Sequence, residues 1–319
     1  MEFAYIFPGQ GSQSVGMMGD LDKQYPEARQ LFELGSDILQ QDLWKLVTSG
    51  PEADLNRTEN TQPVMLCACV AVYRIFRAQF PDFPLLAAGH SFGEYTALAC
   101  AGALEFEAAI ALARYRGRVM QEAVPEGQGA MAAILGLEVD VLARICRQCT
   151  QEHERAEPVN FNAPGQTVIA GDRVAVSRAV EAAKDAGAKR CVPLPLSVPS
   201  HSTLMKPAAV QLREYLQDVA MRAPRFAVIQ NADVRAYRSE ADIKDALYRQ
   251  LFSPVRWVDT VQHMISQGIG ALVELGPGRV LTGFSRRIDR SVPAYCVSDL
   301  KSLDQTLQQL NAMNALEPA

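Results

Sequence analysis

The sequence has no long basic run and no apolar segment of membrane-spanning length. Among its 319 residues, no run of lysine and arginine is longer than two, and the formal net charge is −5. A surface for nucleic acid therefore has little electrostatic support. The longest apolar run, residues 64–73, is about half the length that a bilayer requires. Met1 leads directly into an apolar segment without a charged region, so we predict no signal peptide, no membrane association and a cytoplasmic location.

A disulfide framework is also missing from the pattern. The seven cysteines are an odd number and are scattered along the chain, which favours reduced thiols. Cys146 and Cys149 form a C-x-x-C, but they lie in a helical pattern without a second pair of ligands. We interpret them as helix residues and predict no metal site.

Strand-like and helix-like segments alternate over residues 1–122, which predicts a parallel α/β sheet. Residues 129–197 instead follow the order β-α-β-β-α-β of a ferredoxin-like domain, and the α/β pattern then resumes. We therefore expect a large, discontinuous α/β domain resembling the α/β-hydrolase core, formed by residues 1–125 and 198–319. A small ferredoxin-like subdomain, residues 126–197, is inserted in it.

One serine lies between two glycines where a predicted strand meets a predicted helix. The segment Gly89-His90-Ser91-Phe92-Gly93 fits G-x-S-x-G, in which a sharp turn exposes the serine hydroxyl. The start of the helix supplies N–H groups and a positive dipole end near the position where an oxyanion would form. The motif predicts Ser91 as a nucleophile. The alternative is a loop serine that caps the helix.

Histidine is scarce, yet a serine nucleophile needs a base. Of the four histidines, His90 adjoins the serine and leaves the turn in a different direction, His153 lies in a polar segment, and His263 lies on an ordinary helical pattern. His201 lies in SVPSHSTL, a proline-rich entry to a helix, and is the best candidate base. The alternative is a histidine that caps or packs this helix. No acidic residue stands out as its partner, so a backbone or amide carbonyl could accept the imidazole N–H.

Arg116 lies on the apolar face of its predicted helix. Its neighbours at helical spacing are Leu112, Ala113, Val119 and Met120. A buried guanidinium without a partner is costly, so this position implies a carboxylate from a ligand or from the protein. Glu122 is the candidate within the protein.

Seven blocks, in order along the chain, are FPGQGSQSVGM, GHSFGEYTAL, RGRVMQEAVPEGQGAMAAILGL, NAPGQTVIAG, SVPSHSTLMKPAA, RQLFSPVRW and ELGPGRVLTG. Together they span nearly the whole chain and resemble the malonyl-CoA:acyl carrier protein transacylase family, the acyltransferases of bacterial fatty-acid synthesis. Seven blocks in the family's order are far more specific than any one of them.

The resemblance implies a role for each matching position. Ser91 would be the acylated nucleophile and His201 its general base, oriented by the backbone carbonyl of Gln250. The backbone N–H groups of Gln10 and Phe92 would form the oxyanion hole. Phe92 departs from the leucine that relatives usually carry, so the hole should survive while the larger ring alters the acyl pocket.

The resemblance also implies the substrate contacts. Arg116 would bind the free malonyl carboxylate, which suits a planar guanidinium better than an ammonium. Met120 and Ser200 are expected to line the acyl pocket. Malonyl would pass from malonyl-CoA to Ser91 and then to the phosphopantetheine thiol of an acyl carrier protein, with coenzyme A thioesters as substrates. No metal or redox cofactor is expected, and the chain is expected to be a monomer.

An acidic carrier protein would need basic residues near the mouth of the cleft. The candidates are Lys189, Arg190, Arg286 and Arg287; the alternative is that they form ordinary solvated surface. Three other functions stay open. They are a trans-acting acyltransferase of a polyketide synthase, an acyl hydrolase of the same fold, and a non-catalytic carrier-binding module, against which the intact serine, histidine and arginine argue.

Overall fold

The computed structural model describes residues 2–195 and 198–315. The strands are β1 (Phe3–Phe7), β2 (Leu86–Gly89), β3 (Gly129–Leu135), β4 (Ala156–Ala163), β5 (Gln166–Asp172), β6 (Arg190–Pro193), β7 (Ala227–Ile229), β8 (Ala271–Leu275) and β9 (Ala294–Val297). The helices are α1 (Gly19–Gln24), α2 (Glu27–Leu39), α3 (Leu43–Ser49), α4 (Glu52–Leu55), α5 (Thr58–Gln79), α6 (Gly93–Cys100), α7 (Phe106–Glu122), α8 (Val139–Cys149), α9 (Arg173–Asp185), α10 (Lys206–Gln217), α11 (Glu240–Gln250), α12 (Trp257–Ser266), α13 (Val280–Ile288) and α14 (Leu300–Ala315), with a 3₁₀ turn at Thr203–Met205.

The larger sheet is parallel throughout, in the order β7-β2-β1-β8-β9. Its central strand β1 is buried on both faces, as expected of a parallel sheet covered by helices. Phe3, Tyr5 and Phe7 pack into the core on one face, while Ala4 and Ile6 pack into the core on the other. The parallel α/β prediction is confirmed.

The longest apolar run of the sequence, residues 64–73, forms the middle of α5. This helix is buried on almost all sides, with its neighbours α2 and α7 packed against it, as expected for a core helix that is apolar all round. Across residues 2–195 and 198–315, none of the helices is long and apolar enough to cross a membrane.

The smaller sheet is antiparallel, in the order β4-β5-β3-β6. Its strands and the helices α8 and α9 follow the predicted β-α-β-β-α-β order. Alternation along β3 divides the faces: Ala132 and Ile134 pack with α8 and α9, whereas Met131 and Ala133 face the other way. The division into domains stays a prediction, and its boundary at residue 197 and the chain end, residues 316–319, lie outside the described residues.

Two elements that the sequence pattern did not predict follow α13. Strand β9 pairs in parallel with β8 and becomes the edge of the large sheet. Helix α14 packs Leu303, Thr306 and Leu310 inward. A four-residue strand and a helix rich in glutamine and asparagine give weak periodic signals, which is why the sequence pattern did not reveal them.

Candidate active site

The serine lies on a tight turn between β2 and α6. Its backbone is left-handed, with φ of 53°, an uncommon conformation for a non-glycine residue. A Cβ at Gly89 would lie 1.8 Å from the backbone carbon of Gly93, and a Cβ at Gly93 would lie 2.1 Å from the carbonyl oxygen of Phe7. Both positions therefore require glycine, and the turn presents Ser91 at the carboxyl edge of the parallel sheet.

The structure brings Ser91 and His201 together. The serine Oγ lies 2.6 Å from the histidine Nε2, although 110 residues separate them along the chain. His201 is buried and, like the serine, has a left-handed backbone, with φ of 66°. It directly precedes Ser202 and the 3₁₀ turn that leads into α10. The imidazole is thus held rigidly against the hydroxyl.

The carbonyl oxygen of Gln250 lies 2.9 Å from the other ring nitrogen, Nδ1 of His201. A carbonyl only accepts, so Nδ1 carries the proton and Nε2 presents its lone pair to the serine. Gln250 is the last residue of α11, where helix carbonyls lack intrahelical partners and the dipole favours positive charge. Burial, and then the positive charge of Arg116, lower the pKa of His201 to about 3. The resting imidazole is therefore neutral and able to accept a proton.

Two backbone N–H groups near the serine are available to an oxyanion. Strands β1 and β2 pair in parallel up to Phe7 and Gly89, so the loop that carries Gln10 and the turn that carries Phe92 leave the same edge of the sheet. Within residues 2–195 and 198–315, neither of these two N–H groups donates to a protein acceptor. The Gln10 side chain donates to the hydroxyl of Thr58 at 3.3 Å, which anchors that loop.

Arg116 is buried, with 1% of its surface exposed, as the helical pattern predicted. One guanidinium nitrogen, Nη2, donates to the side-chain oxygen of Gln250 at 3.0 Å. The guanidinium carbon lies 5.0 Å from the ring centre of Tyr95 and 5.9 Å from that of Phe92, at cation–π distance. Burial lowers its pKa.

The predicted alternative partner is wrong. Glu122 lies 4.0 Å from Arg118 on the exposed side of α7. Throughout the part of the chain that the structure describes, no carboxylate forms a salt bridge with Arg116, and its Nε is buried without a hydrogen-bond partner. Arg116 is therefore a buried cation without a carboxylate partner among the described residues.

A cleft of about 420 Å³ lies between the two sheets, and its lining includes His90, the residue that precedes Ser91. The large sheet contributes Gln10 and His90, and the small sheet contributes Met131, Asn160 and Gln166. These small-sheet residues belong to the face that α8 and α9 leave uncovered. The cleft therefore has two walls and leads to the turn that carries Ser91.

Asn231 is a part of the site that the sequence did not reveal. Its side-chain oxygen accepts from the Ser91 N–H at 2.7 Å, and its side-chain nitrogen donates to the Gly89 carbonyl at 2.7 Å. Its own N–H donates to Glu94 at 2.6 Å. Asn231 follows β7, which pairs with β2, so the only available signal was a polar residue after a parallel strand. It holds the strained turn from both sides.

His90 also has a place that the sequence did not predict. Its Nε2 lies 2.8 Å from the side-chain oxygen of Asn162 at the end of β4. Burial lowers the pKa of His90 to about 4. The turn is thereby linked to the small sheet.

Met120 and Ser200, the residues expected in the acyl pocket, lie next to the principal groups. Met120 is buried on α7 one turn after Arg116, and its sulfur lies 3.8 Å from the Gln62 side-chain nitrogen. Ser200 is half-buried and directly precedes His201. Their role as pocket residues stays a prediction.

The four basic candidates for docking differ in their surroundings. Lys189 and Arg190 are exposed at the start of β6. Arg286 is exposed and donates to the Ala294 carbonyl at 3.2 Å. Arg287 donates to the Pro164 carbonyl at 3.0 Å and to the Gln166 side chain, and so links α13 to the turn between β4 and β5. The structure thus places Arg287 in a contact between the two sheets.

Comparison with known proteins agrees with this geometry. The family described as "Acyl transferase domain" matches residues 4–303. The malonyl CoA-acyl carrier protein transacylase of Haemophilus influenzae is 50% identical over 304 residues, which cover 95% of this chain and 97% of that protein. An acyl carrier protein S-malonyltransferase from Vibrio cholerae superposes with a TM-score of 0.93 at 51% identity, covering 96% of this chain and 100% of that one.

A malonyl-transacylase solved in complex with its type II PKS acyl-carrier protein superposes with a TM-score of 0.95 at 50% identity. That match covers 97% of this chain and all of the other. The similarity extends over nearly the full length in each case. The chain therefore belongs to the acyl transferase family, within its group of malonyl CoA-acyl carrier protein transacylases.

Proposed function

We propose that this protein transfers the malonyl group from malonyl-CoA to the phosphopantetheine thiol of an acyl carrier protein, for fatty-acid synthesis. The observation that carries the proposal is a Ser91–His201 pair at 2.6 Å, close to a buried Arg116 that forms no salt bridge with any carboxylate of the described residues. A serine and its base can form an acyl-enzyme. A buried guanidinium selects an acyl group that carries a carboxylate.

In the first half-reaction the malonyl carboxylate binds Arg116, and the serine Oγ attacks the thioester carbonyl while its proton passes to Nε2 of His201. The N–H groups of Gln10 and Phe92 stabilise the oxyanion. The C–S bond then breaks, and the sulfur of coenzyme A takes the proton from the imidazolium. The product is malonyl-Ser91 with a neutral histidine.

The second half-reaction runs the same chemistry with a new thiol. The phosphopantetheine thiol of the carrier gives its proton to His201, and its sulfur attacks the ester carbonyl of malonyl-Ser91. The C–O bond breaks, and the serine oxygen regains the proton from the imidazolium. The chemistry needs no metal or redox cofactor, because each step moves only a proton and an acyl group.

Charge balance links the acyl group to the base. The positive charge of Arg116 is one cause of the low pKa of His201. A bound malonyl carboxylate cancels that charge, so the pKa of the imidazole rises when the correct substrate is present. The Gln250 carbonyl at the end of α11 supports the imidazolium that forms.

Intact-mass measurement tests the proposal directly. Incubation with malonyl-CoA should add one malonyl group, and addition of a holo acyl carrier protein should remove it and leave malonyl on the carrier. Release to water at the same rate with and without carrier would indicate an acyl hydrolase instead. Parallel assays with fatty-acid and polyketide carriers distinguish the two transferase alternatives.

A further inference from the structure

The side chain of Gln250 joins two parts of the site that the proposed reaction uses separately. The residue is fully buried at the end of α11. Besides the carbonyl bond to His201, its side-chain nitrogen donates to the Ser91 carbonyl at 3.0 Å, and its side-chain oxygen accepts from Arg116 at 3.0 Å. One residue thus contacts the base, the backbone of the nucleophile and the buried cation.

The surroundings of Arg116 show why this amide matters. The two aromatic faces, Tyr95 and Phe92, attract the cation but do not determine which N–H points where. The hydrogen bond from Nη2 to Gln250 fixes the rotation of the planar fork. Because an amide oxygen carries no net charge, it orients the guanidinium without neutralising it. Its Nε, which has no hydrogen-bond partner among residues 2–195 and 198–315, stays available to an anion.

We infer that the Gln250 side chain sets the preference for malonyl over uncharged acyl groups by orienting Arg116. It acts as a positioning residue, and this role is separate from that of its carbonyl on His201. The inference rests on the proposed function, since it concerns how the same site reads a carboxylate.

Two substitutions keep the backbone carbonyl and change only the side chain. Gln250→Glu keeps the size and places a carboxylate at the Arg116 fork, where it competes with the substrate carboxylate. Gln250→Met keeps a side chain of similar size, but this side chain is apolar and makes neither of the two side-chain hydrogen bonds. Gln230→Met is the matched control, because Gln230 is equally buried and, among the described residues, its side chain bonds only the Val228 carbonyl.

The measurement is kcat/KM for acylation by malonyl-CoA and by acetyl-CoA, followed by intact mass. In Gln250→Glu the malonyl-to-acetyl preference should fall by on the order of 10², and in Gln250→Met by about tenfold, with acetyl acylation reduced less than malonyl acylation in both. Gln230→Met should leave the preference unchanged.

An equal loss for the two substrates in both variants, with unchanged melting temperature, would overturn the inference and leave the side chain as support for the serine turn. If Gln250→Met melts below the assay temperature, the isosteric Gln250→Glu decides alone. Failure of the proposed function is a separate result, because wild-type enzyme would then form no malonyl adduct.

Discussion

The two walls of the cleft bury different kinds of residue. The core of the small sheet is apolar, from Ala132 and Ile134 to the inward residues of α8 and α9. The large-sheet side buries Glu94, Arg116 and His201. In the described part of the chain, no buried charged residue belongs to the small sheet or its helices. Buried charge is costly and is kept where it has a use, so we propose that the large-sheet side performs the chemistry while the small sheet shapes the cleft.

Two buried glutamates on the large-sheet side differ in how many of their oxygens accept hydrogen bonds. Glu274 on β8 accepts from the N–H groups of Leu281 and Thr282 and from the Thr282 hydroxyl, at 2.7 to 3.1 Å. Glu274 thereby anchors the N-terminus of α13, where the helix dipole favours negative charge. Glu94 accepts one bond from the N–H of Asn231, and its Oε1 has no hydrogen-bond partner in the part of the chain that the structure describes. Both oxygens of Glu274 thus accept hydrogen bonds, whereas among the described residues only one oxygen of Glu94 does.

The largest effect should come from the Ser91–His201 pair. Ser91→Ala should abolish the malonyl adduct, because the turn presents no other nucleophile. His201→Ala should slow both half-reactions by about 10² to 10⁴-fold, the usual range for a lost acid–base group. Intact mass and stopped-flow acylation measure these changes. His263→Ala is the control, since it replaces a histidine on another helix, α12, and leaves both residues of the pair in place.

A persisting adduct in Ser91→Ala would place the nucleophile elsewhere. A loss of less than about tenfold in His201→Ala would favour a packing role for that histidine. Either result would contradict the assignment of the Ser91–His201 pair as nucleophile and base.

The next largest effect should be on the choice of acyl group. Arg116→Ala should cost roughly 2–5 kcal/mol with malonyl-CoA, the scale for truncating one partner of a buried charged pair. Acetyl-CoA has no carboxylate to leave unpaired, and removing the cation raises the pKa of His201, so its reaction should hold steady or improve. The ratio of kcat/KM values should thus fall by on the order of 10².

Arg114→Ala is the matched control for that ratio. Arg114 lies on the same helix, but it bonds Asn60 and Gln41 on a different face. Its loss should leave the malonyl preference intact. Equal losses for malonyl and acetyl in a stably folded Arg116→Ala would mean that this residue does not read the carboxylate.

The sequence predicted the parts of the site that have local signals. The glycines around Ser91 indicate a tight turn, and helical spacing alone places Arg116 on a buried face. The contacts of Asn231 and of the Gln250 side chain with Ser91 had no such signal, because they join residues 140 and 159 positions apart. Such contacts depend on the order of strands in the sheet, which periodicity does not specify.

A smaller effect should appear in the pH dependence of stability. Burial raises the pKa of Glu94 to about 8, from 4.5, so between these values the folded protein holds a proton that the unfolded chain releases. The contribution is fully present below pH 4.5 and is lost as pH rises through about 8. Each pH unit in this window costs at most about 1.4 kcal/mol. Glu94→Gln removes this decrease in stability with rising pH, because glutamine does not titrate.

Denaturant unfolding at pH 5 and pH 9 measures the difference. The free energy of unfolding of Glu94→Gln should exceed that of wild type by more at the higher pH. The exposed Glu107→Gln should follow wild type at both. An identical gap at the two pH values would show that Glu94 holds no extra proton in the folded protein. His90 and His201 have the opposite effect on stability. Their pKa values are lowered in the folded protein, so they reduce the free energy of unfolding as pH falls below 6.5.

The smallest effect should come from the small-sheet wall, where charge lies on the surface and is screened. Lys189 and Arg190 are exposed at the start of β6, and reversing both charges should raise the KM for an acidic carrier several-fold, more so at low salt. Malonyl-Ser91 formation should change little.

Charge reversal at Arg286 and Arg287 is a less specific test, because Arg287 also bonds the β4–β5 turn and so links the two walls of the cleft. Lys184→Glu, on the helix that covers the opposite face of the small sheet, is the control. An equal loss of rate in both half-reactions of the Lys189 and Arg190 variant would show that the small sheet takes part in binding coenzyme A or in folding. The two walls of the cleft would then not have separate roles.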